Sequence, residues 1–232
     1  QGISGLEAAR DRALTGEPGK QYFERDPKGR TIAGGQQRTV PAQPGTNLYL
    51  TLDQAMQYET EQALRAQVKA TGAANAMAVI TRPSTGDILA MASVGADEDG
   101  TIANTSDNKP VTAAFEPGSV NKMITIAGAL EEGTVAPDTH LTVPDHLQVA
   151  DHAFTDHDPH PVQDWSVTDI LVTSSNIGTI EIAQRLGAAK VDHYLRAFGF
   201  GASTGLGFPA EEDGIMLPLD RWSGTSIGSI PI

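Results

Sequence analysis

The sequence predicts an α+β fold in which an antiparallel sheet is packed by helices. Two observations carry that expectation. An alternating stretch, Asn47–Asp53 (NLYLTLD), is followed by a long helical period and then by two strand-like runs joined by a turn, an order that sets helices beside a sheet. Helical periods return after Pro117, and the chain carries no internal repeat and no heptad seam.

Taken in order, residues 1–45 are rich in Gly, Pro and charge, with one short helical candidate at Gly5–Leu14 (GLEAARDRAL). Gly16–Gly35 reads as short strands and turns, with Pro27–Arg30 a hairpin tip. This part cannot form much of a core and reads as the end of an accessory domain and its linker. Pro41–Gly45 marks the boundary, so the expected division is 1–45 and 46–232. After the strand at 47–53, Asp53 is placed to cap a helix over Gln54–Ala70. Ala74–Val94 reads as a hairpin turning at Pro83–Asp87, and Ala96–Lys109 as a polar, solvated loop. A helix is expected to start near Pro117 and end at Gly133, and residues 134–165 show no sustained period. Further helices are predicted at 166–174, 176–187 and 188–199, before an irregular end in which Trp222, like Trp165 earlier, is a packing anchor.

At 232 residues the chain can bury a sizeable core and hold one domain plus part of another. It has no cysteine, which excludes disulfides, thiolate catalysis and Cys-based zinc sites. No apolar run approaches the roughly 18 residues of a membrane span, and nothing at the start reads as a signal peptide. The formal net charge is −13, unevenly spread. Between Asp87 and Asp158 stand thirteen acidic residues against two lysines, Lys109 and Lys122. Such a surface repels a nucleic acid backbone, so no nucleic acid partner is expected.

A lysine inside so acidic a stretch must be neutralised or tuned. Lys122 stands three residues after Ser119 in Phe115–Lys122 (FEPGSVNK). Pro117 suits a first helical turn, Gly118 permits close approach of a ligand, and Ser119 would meet unpaired N–H groups that favour an oxyanion. At this spacing the lysine amine lies within reach of the serine oxygen. To accept its proton, that amine must fall from a pKa of about 10.4 toward 7, at a cost of about 4 kcal/mol. The same pair also fits an ordinary helix cap followed by a surface lysine.

A second polar knot, Ser174-Ser175-Asn176, interrupts an apolar run between two predicted helices. It fits a helix–helix turn in which Ser175 or Asn176 caps the next helix. Equally, Ser174 could relay a proton and Asn176 could hold a substrate peptide bond. With both knots in place the chain resembles the class B, monofunctional penicillin-binding protein transpeptidases, whose motifs are Ser-x-x-Lys, Ser-x-Asn and Lys-Thr-Gly. Ser119 and Lys122 match the first motif, and Ser174 and Asn176 the second. Gly2–Glu7 and Arg25–Arg30 resemble the accessory domain of that family, and Thr51–Gln57 and Ala76–Ser93 the opening of its catalytic domain.

The resemblance implies a penicillin-binding transpeptidase-like fold, incomplete here on its C-terminal side, since no Lys-Thr-Gly or variant follows Asn176. It implies a peptidoglycan D,D-transpeptidase acting on stem peptides ending in D-Ala-D-Ala, with Ser119 as nucleophile, Lys122 as base, Ser174 as proton relay and Asn176 as substrate holder. β-Lactams would be trapped on Ser119, and no metal or cofactor is required. The implied place is the extracytoplasmic face of the bacterial membrane, reached through an N-terminal anchor outside this sequence, with divisome or elongation-complex proteins as partners. A β-lactamase or β-lactam sensor of the same fold, or a non-catalytic scaffold, would share much of the pattern.

Four other signals carry less. His152, His157 and His160 lie in Asp151–His160, a possible metal clip, but Pro159 and Pro161 and the lack of a helix point to a solvated loop. His193 reads as an ordinary helix residue. Gly224–Gly228 (GTSIG) mimics a nucleophile elbow without a preceding strand or a following acid and histidine, and the glycines of Gly199–Phe208 do not sit in a βαβ unit.

Overall fold

A computed structural model describes residues 2–232. The chain divides into two compact units, Gln1–Ala113 with Gly205–Glu211, and Ala114–Thr204 with Glu212–Ile232.

In the first unit the predicted N-terminal helix is two short ones, α1 (Gly5–Ala9) and α2 (Asp11–Leu14), separated by Arg10 at φ −115°, ψ 13°. Strands β1 (Lys20–Phe23) and β2 (Gln37–Val40) pair antiparallel, and both are exposed along their whole length. The turn between Arg25 and Arg30 is held by Asp26, whose carboxylate accepts the N–H groups of Lys28 and Arg30, both at 2.9 Å. So small and open a segment contributes almost no core, as its composition implies.

Helix α3 (Gln54–Thr71) starts where Asp53 accepts the N–H groups of Ala55 and Met56, and ends at Gly72, whose φ of 68° suits glycine. It packs on β4 (Ile88–Ala96), the middle strand of a three-stranded antiparallel sheet with β3 (Asn75–Thr81) and β5 (Ile102–Asn104). Ala90, Ala92 and Val94 are buried on β4, and two of the three are small enough to let the helix approach. A short helix, α4 (Lys109–Thr112), closes the unit and buries Val111.

Two expectations fail in this unit. Asn47–Asp53 alternates like a strand but forms none. Only single bonds tie it to β4, from Thr51 Oγ1 to the Ile88 carbonyl at 2.6 Å and from the Asp53 N–H to the Leu89 carbonyl at 2.8 Å. The next stretch of the β4 edge is taken by a side chain. The Gln57 amide donates to the Met91 carbonyl at 3.0 Å and accepts the Met91 N–H at 2.9 Å, so it stands in for a peptide unit. The polar loop at 96–109 is also not wholly loop: a turn at 97–100 folds it back so that β5 pairs with the end of β4.

The second unit is built on helices. A 3₁₀ turn over Gly118–Asn121 runs into α5 (Lys122–Glu131), so the helix expected from Pro117 begins one turn later than its pattern suggests. Residues 134–165, which show no period, fold into four strands of four residues each: β6 (His140–Val143) pairs with β9 (Gln163–Ser166), and β7 (His146–Val149) with β8 (His152–Thr155). Strands this short carry too few alternations to register in sequence.

Helices α6 (Val167–Val172), α7 (Asn176–Leu186) and α8 (Ala188–Ala197) follow as predicted, and α9 (Ser226–Ser229) lies near the end. Helix α6 opens with a capping box in which Ser166 and Asp169 satisfy each other's N–H groups. The core gathers Ile124 and Ile126 of α5, Leu141 and Val143 of β6, Ile170 of α6, Ile177 and Ile182 of α7, and Leu195 of α8, with Trp165 and Trp222 packed against it.

Glycine sets one critical approach. A Cβ at Gly178 would lie 2.6 Å from Ile170 Cγ1, and Ile170 is fully buried. Gly178→Ala should therefore destabilise the fold by about 1–3 kcal/mol despite alanine's better helix propensity. Chemical denaturation monitored by circular dichroism should show the loss. Adding Ile170→Val, which removes only Cδ1 and keeps the Cγ1 and Cγ2 contacts, should not recover it.

Candidate active site

The site is built from the Gly118–Asn121 turn, the start of α5, and the joint between α6 and α7, all within the second unit. Gly118 holds φ 61°, a left-handed conformation that a side chain would resist. The chain then makes its 3₁₀ turn, with the Lys122 N–H bonded to the Ser119 carbonyl. A 3₁₀ helix has three residues per turn, so the backbone positions of Ser119 and Lys122 share a face, while the hydrogen bonds of the lysine amine go to the α6–α7 joint and not to Ser119. Ser119 is exposed, whereas Lys122 is only 1% exposed and is the largest fully buried residue.

The Lys122 amine meets the α6–α7 joint. Its Nζ lies 2.5 Å from the Ser174 carbonyl, 2.6 Å from Asn176 Oδ1 and 3.2 Å from Ser174 Oγ. The Asn176 amide is oriented from its other side, since Nδ2 donates to the Thr155 carbonyl at 2.9 Å. A carbonyl only accepts, so the nitrogen must face Thr155 and the oxygen must face the lysine.

The joint has a definite local cause. Helix α6 ends in a Schellman motif: the Ser174 N–H bonds to the Leu171 carbonyl at 3.2 Å and the Ser175 N–H to the Ile170 carbonyl at 3.0 Å. Ser174 occupies the left-handed position of that motif, at φ 56°. Glycine is the usual choice there, and a serine costs roughly 1 kcal/mol. Ser175 is the N-cap of α7, accepting the Gly178 N–H at 2.9 Å, and Asn176 is the first residue of that helix. Three consecutive residues thus end one helix, cap the next and begin it, which brings the Ser174 hydroxyl and the Asn176 amide to the same amine.

Sequence reasoning missed two members of this site. Asp156, with 6% of its side chain exposed, accepts the Ile177 N–H at 3.0 Å and the Ser175 hydroxyl at 2.7 Å, and His160 Nε2 stands 2.9 Å from the same carboxylate. His160 is 11% exposed and packs against Trp165, their ring centroids 4.9 Å apart. Asp151–His160 is therefore not the solvated loop its prolines suggest: it supplies the brace beneath the α6–α7 joint. His152 lies edge-on to Phe154 instead of converging with His160. Among the described residues no cluster of three or more His, Asp or Glu has a metal-binding arrangement. Ser226, in the GTSIG stretch, is buried and caps its own turn by accepting the Ser223 N–H at 2.9 Å, with no strand before it.

Electrostatics favour a tuned amine. Burial pushes the Lys122 amine below the ordinary lysine range, while the Asp156 carboxylate pulls it back up. Burial pushes the Asp156 carboxyl up, but the Ile177 N–H, the Ser175 hydroxyl and the His160 ring together outweigh it and hold it below the usual carboxylate range. The Pro161 carbonyl and then the Asp156 carboxylate raise His160. A neutral Lys122 amine has two N–H groups, which match the Ser174 carbonyl and Asn176 Oδ1, and its lone pair is left to accept a hydroxyl proton.

An exposed serine one 3₁₀ turn from a buried, lowered-pKa lysine, with a second serine and an asparagine on the amine, is the layout of a serine–lysine acyl-transfer enzyme. Residues 76–232 match the penicillin-binding protein transpeptidase domain, and residues 1–50 match the penicillin-binding protein dimerisation domain. The chain belongs to the penicillin-binding protein transpeptidase family.

Penicillin-binding protein PbpB of Mycolicibacterium smegmatis is 36% identical over 100% of this chain and 36% of its own length. Peptidoglycan D,D-transpeptidase FtsI of Escherichia coli K12 is 32% identical over 96% of this chain and 38% of its own. The crystal structure of penicillin-binding protein 3 from Mycobacterium tuberculosis complexed with ampicillin superimposes with a TM-score of 0.81 at 32% identity, covering 100% of this chain and 48% of that one. The chain spans a little over a third of the length of these curated relatives, and the α+β fold expected from the sequence is that of its structural neighbours.

Ser174→Gly tests the strained joint. The substitution should leave stability unchanged or raise it by up to about 1 kcal/mol, because glycine accepts the left-handed conformation freely but loses more chain entropy on folding. Thermal unfolding would read this. A clear loss of stability would mean that the serine side chain, not its backbone position, holds the joint.

Proposed function

We propose that this chain carries the acyl-transfer centre of a peptidoglycan D,D-transpeptidase, and that β-lactams acylate it at Ser119. The observation that carries the reading is the Lys122 amine, withdrawn from water and bonded to Ser174 and Asn176.

In this mechanism the neutral Lys122 amine takes the Ser119 hydroxyl proton as Ser119 Oγ attacks the carbonyl carbon of the penultimate D-alanine. The Ser119 N–H, at the start of the turn, supplies part of the oxyanion stabilisation. As the tetrahedral adduct collapses, the C–N bond breaks and the proton passes through the Ser174 hydroxyl to the departing D-alanine amine, leaving an ester on Ser119. The second N–H of the Asn176 amide, the one not given to the Thr155 carbonyl, holds the substrate peptide while its oxygen holds the lysine. The amine of a neighbouring stem peptide then displaces Ser119, forming the crosslink and returning the proton to the serine. A β-lactam opens by the same attack, but its leaving nitrogen stays tethered and the ester persists. No step calls for a metal or a cofactor.

We place the complete protein at the extracytoplasmic face of the bacterial membrane, anchored through its N-terminal side and working with divisome or elongation-complex proteins. In this reading residues 1–45 close an accessory domain and residues 46–232 belong to the transpeptidase domain. The family membership and the dimerisation-domain match at residues 1–50 support this over a free-standing β-lactamase or β-lactam sensor.

The test is intact mass of the full-length protein after incubation with a fluorescent penicillin. A long-lived adduct is expected on the wild type and none on Ser119→Ala. Labelling that survives the substitution would sink the assignment, and rapid release of hydrolysed penicillin would identify a β-lactamase instead. Lys122→Ala should slow acylation by about 10²–10⁴-fold.

The pH dependence follows from the direction of the Lys122 shift. Because burial lowers its pKa, the free base appears below the ordinary lysine value of about 10.4. Acylation should rise with pH and level off below that value. A rate still climbing as for an ordinary lysine would contradict the assignment of Lys122 as base.

A further inference from the structure

The brace beneath the α6–α7 joint poses a problem for the base. Asp156 is an anion buried close enough to Lys122 to favour the protonated ammonium, the form that cannot accept a proton. Yet the carboxylate cannot simply be dispensed with, since it holds the Ile177 N–H and the Ser175 hydroxyl at the start of α7.

His160 resolves the conflict. Both of its ring nitrogens face oxygen acceptors: Nε2 lies 2.9 Å from Asp156 Oδ2, and Nδ1 lies 2.7 Å from the Pro161 carbonyl. A neutral imidazole carries one N–H, so in either tautomer one nitrogen lone pair would point at an oxygen lone pair. Only the imidazolium satisfies both contacts.

The surroundings support the cation. The backbone N–H of His160 donates to Asp145 Oδ1 at 3.1 Å, which brings a second carboxylate close to the ring. Asp145 is itself met by His146 Nδ1 at 3.0 Å. On the other side of Asp156, α7 contributes backbone N–H groups from its positive end, and α5 contributes Lys122.

We propose that His160 is a charge-balancing positioning residue: as an imidazolium it neutralises Asp156, so that the carboxylate can hold the α6–α7 joint without keeping Lys122 protonated. This rests on the reading of Lys122 as the base. It separates two things the same carboxylate would otherwise do together, namely fixing the geometry of Ser174 and Asn176 and setting the proton affinity of the amine.

The test is the pH profile of penicillin acylation for the full-length protein, read as two quantities: the pH of the rising limb and the height of the plateau. His160→Gln keeps a hydrogen-bond donor for Asp156 but no charge. Its limb should move to higher pH by about one unit, equivalent to roughly a tenfold slower reaction on the limb, with the plateau near wild type. Adding Asp156→Asn removes the uncompensated charge and should bring the limb back to the wild-type position or below, whatever happens to the plateau. A purely structural role would lower the plateau and leave the limb in place, and that result would overturn the proposal.

Nuclear magnetic resonance of the unmodified protein, with ¹⁵N-labelled histidine, gives an independent reading. Both His160 nitrogens should be protonated at neutral pH, and a neutral ring there would also overturn the proposal. If Lys122→Ala acylates as fast as wild type, the reading of the base has failed. If Lys122→Ala is inactive while His160→Gln follows the wild-type profile, the charge balance alone has failed.

Discussion

The second unit depends on one primary amine kept out of water. An isolated ammonium in so closed a place would cost several kcal/mol, and proteins usually meet that cost by letting the group lose its proton. Burial pushes the Lys122 amine in that direction. Its nearest polar partners are two carbonyl-type oxygens and a hydroxyl, enough to satisfy the N–H groups of a neutral amine without a close carboxylate contact. A salt bridge at the same position would have stabilised the charged form and removed the base. The start of α5, the Schellman end of α6 and the cap of α7 all serve to present acceptors rather than anions to Nζ.

The α6–α7 joint shows the stability given up for this arrangement. Ser174 sits where glycine would be relaxed, Ser175 spends its hydroxyl on the cap and on Asp156, and Asn176 has both ends of its amide committed. Each residue has a structural duty, and in the proposed mechanism each duty also aims a polar group at the reaction. Substitutions that ease the backbone are therefore expected to cost function, the usual trade at a strained site.

Much of this was legible in the sequence, for reasons that can be named. Helices α3, α7 and α8 are long enough to show a period, and Asp53 is an unambiguous cap. Ser119, Lys122, Ser174 and Asn176 stand out because polar residues interrupt apolar runs at chemically useful spacings. What stayed hidden is long-range or too short to leave a pattern. Strands β6 to β9 have four residues each. Gln57 displaces a strand from the β4 edge through a side-chain amide, which no alternation reveals. Asp156 and His160 look like members of an acidic, proline-flanked loop until the hairpin β7–β8 folds them under α7.

The charge distribution now has a physical sense that composition alone could not supply. A chain with net charge −13 is an unpromising host for a neutral amine, since every carboxylate favours the ammonium. But exposed charges more than about 8 Å away are largely screened at physiological ionic strength, whereas a buried one is not. Glu131, Asp138 and Asp158, for example, are exposed in the second unit. Asp156 is the carboxylate whose field reaches Lys122, and it is also the one whose second oxygen is matched by a histidine with both nitrogens on acceptors. In the proposed mechanism the acidity of the surface and the basicity of the site are compatible, because solvent screens the former and the His160 imidazolium offsets the buried charge of Asp156.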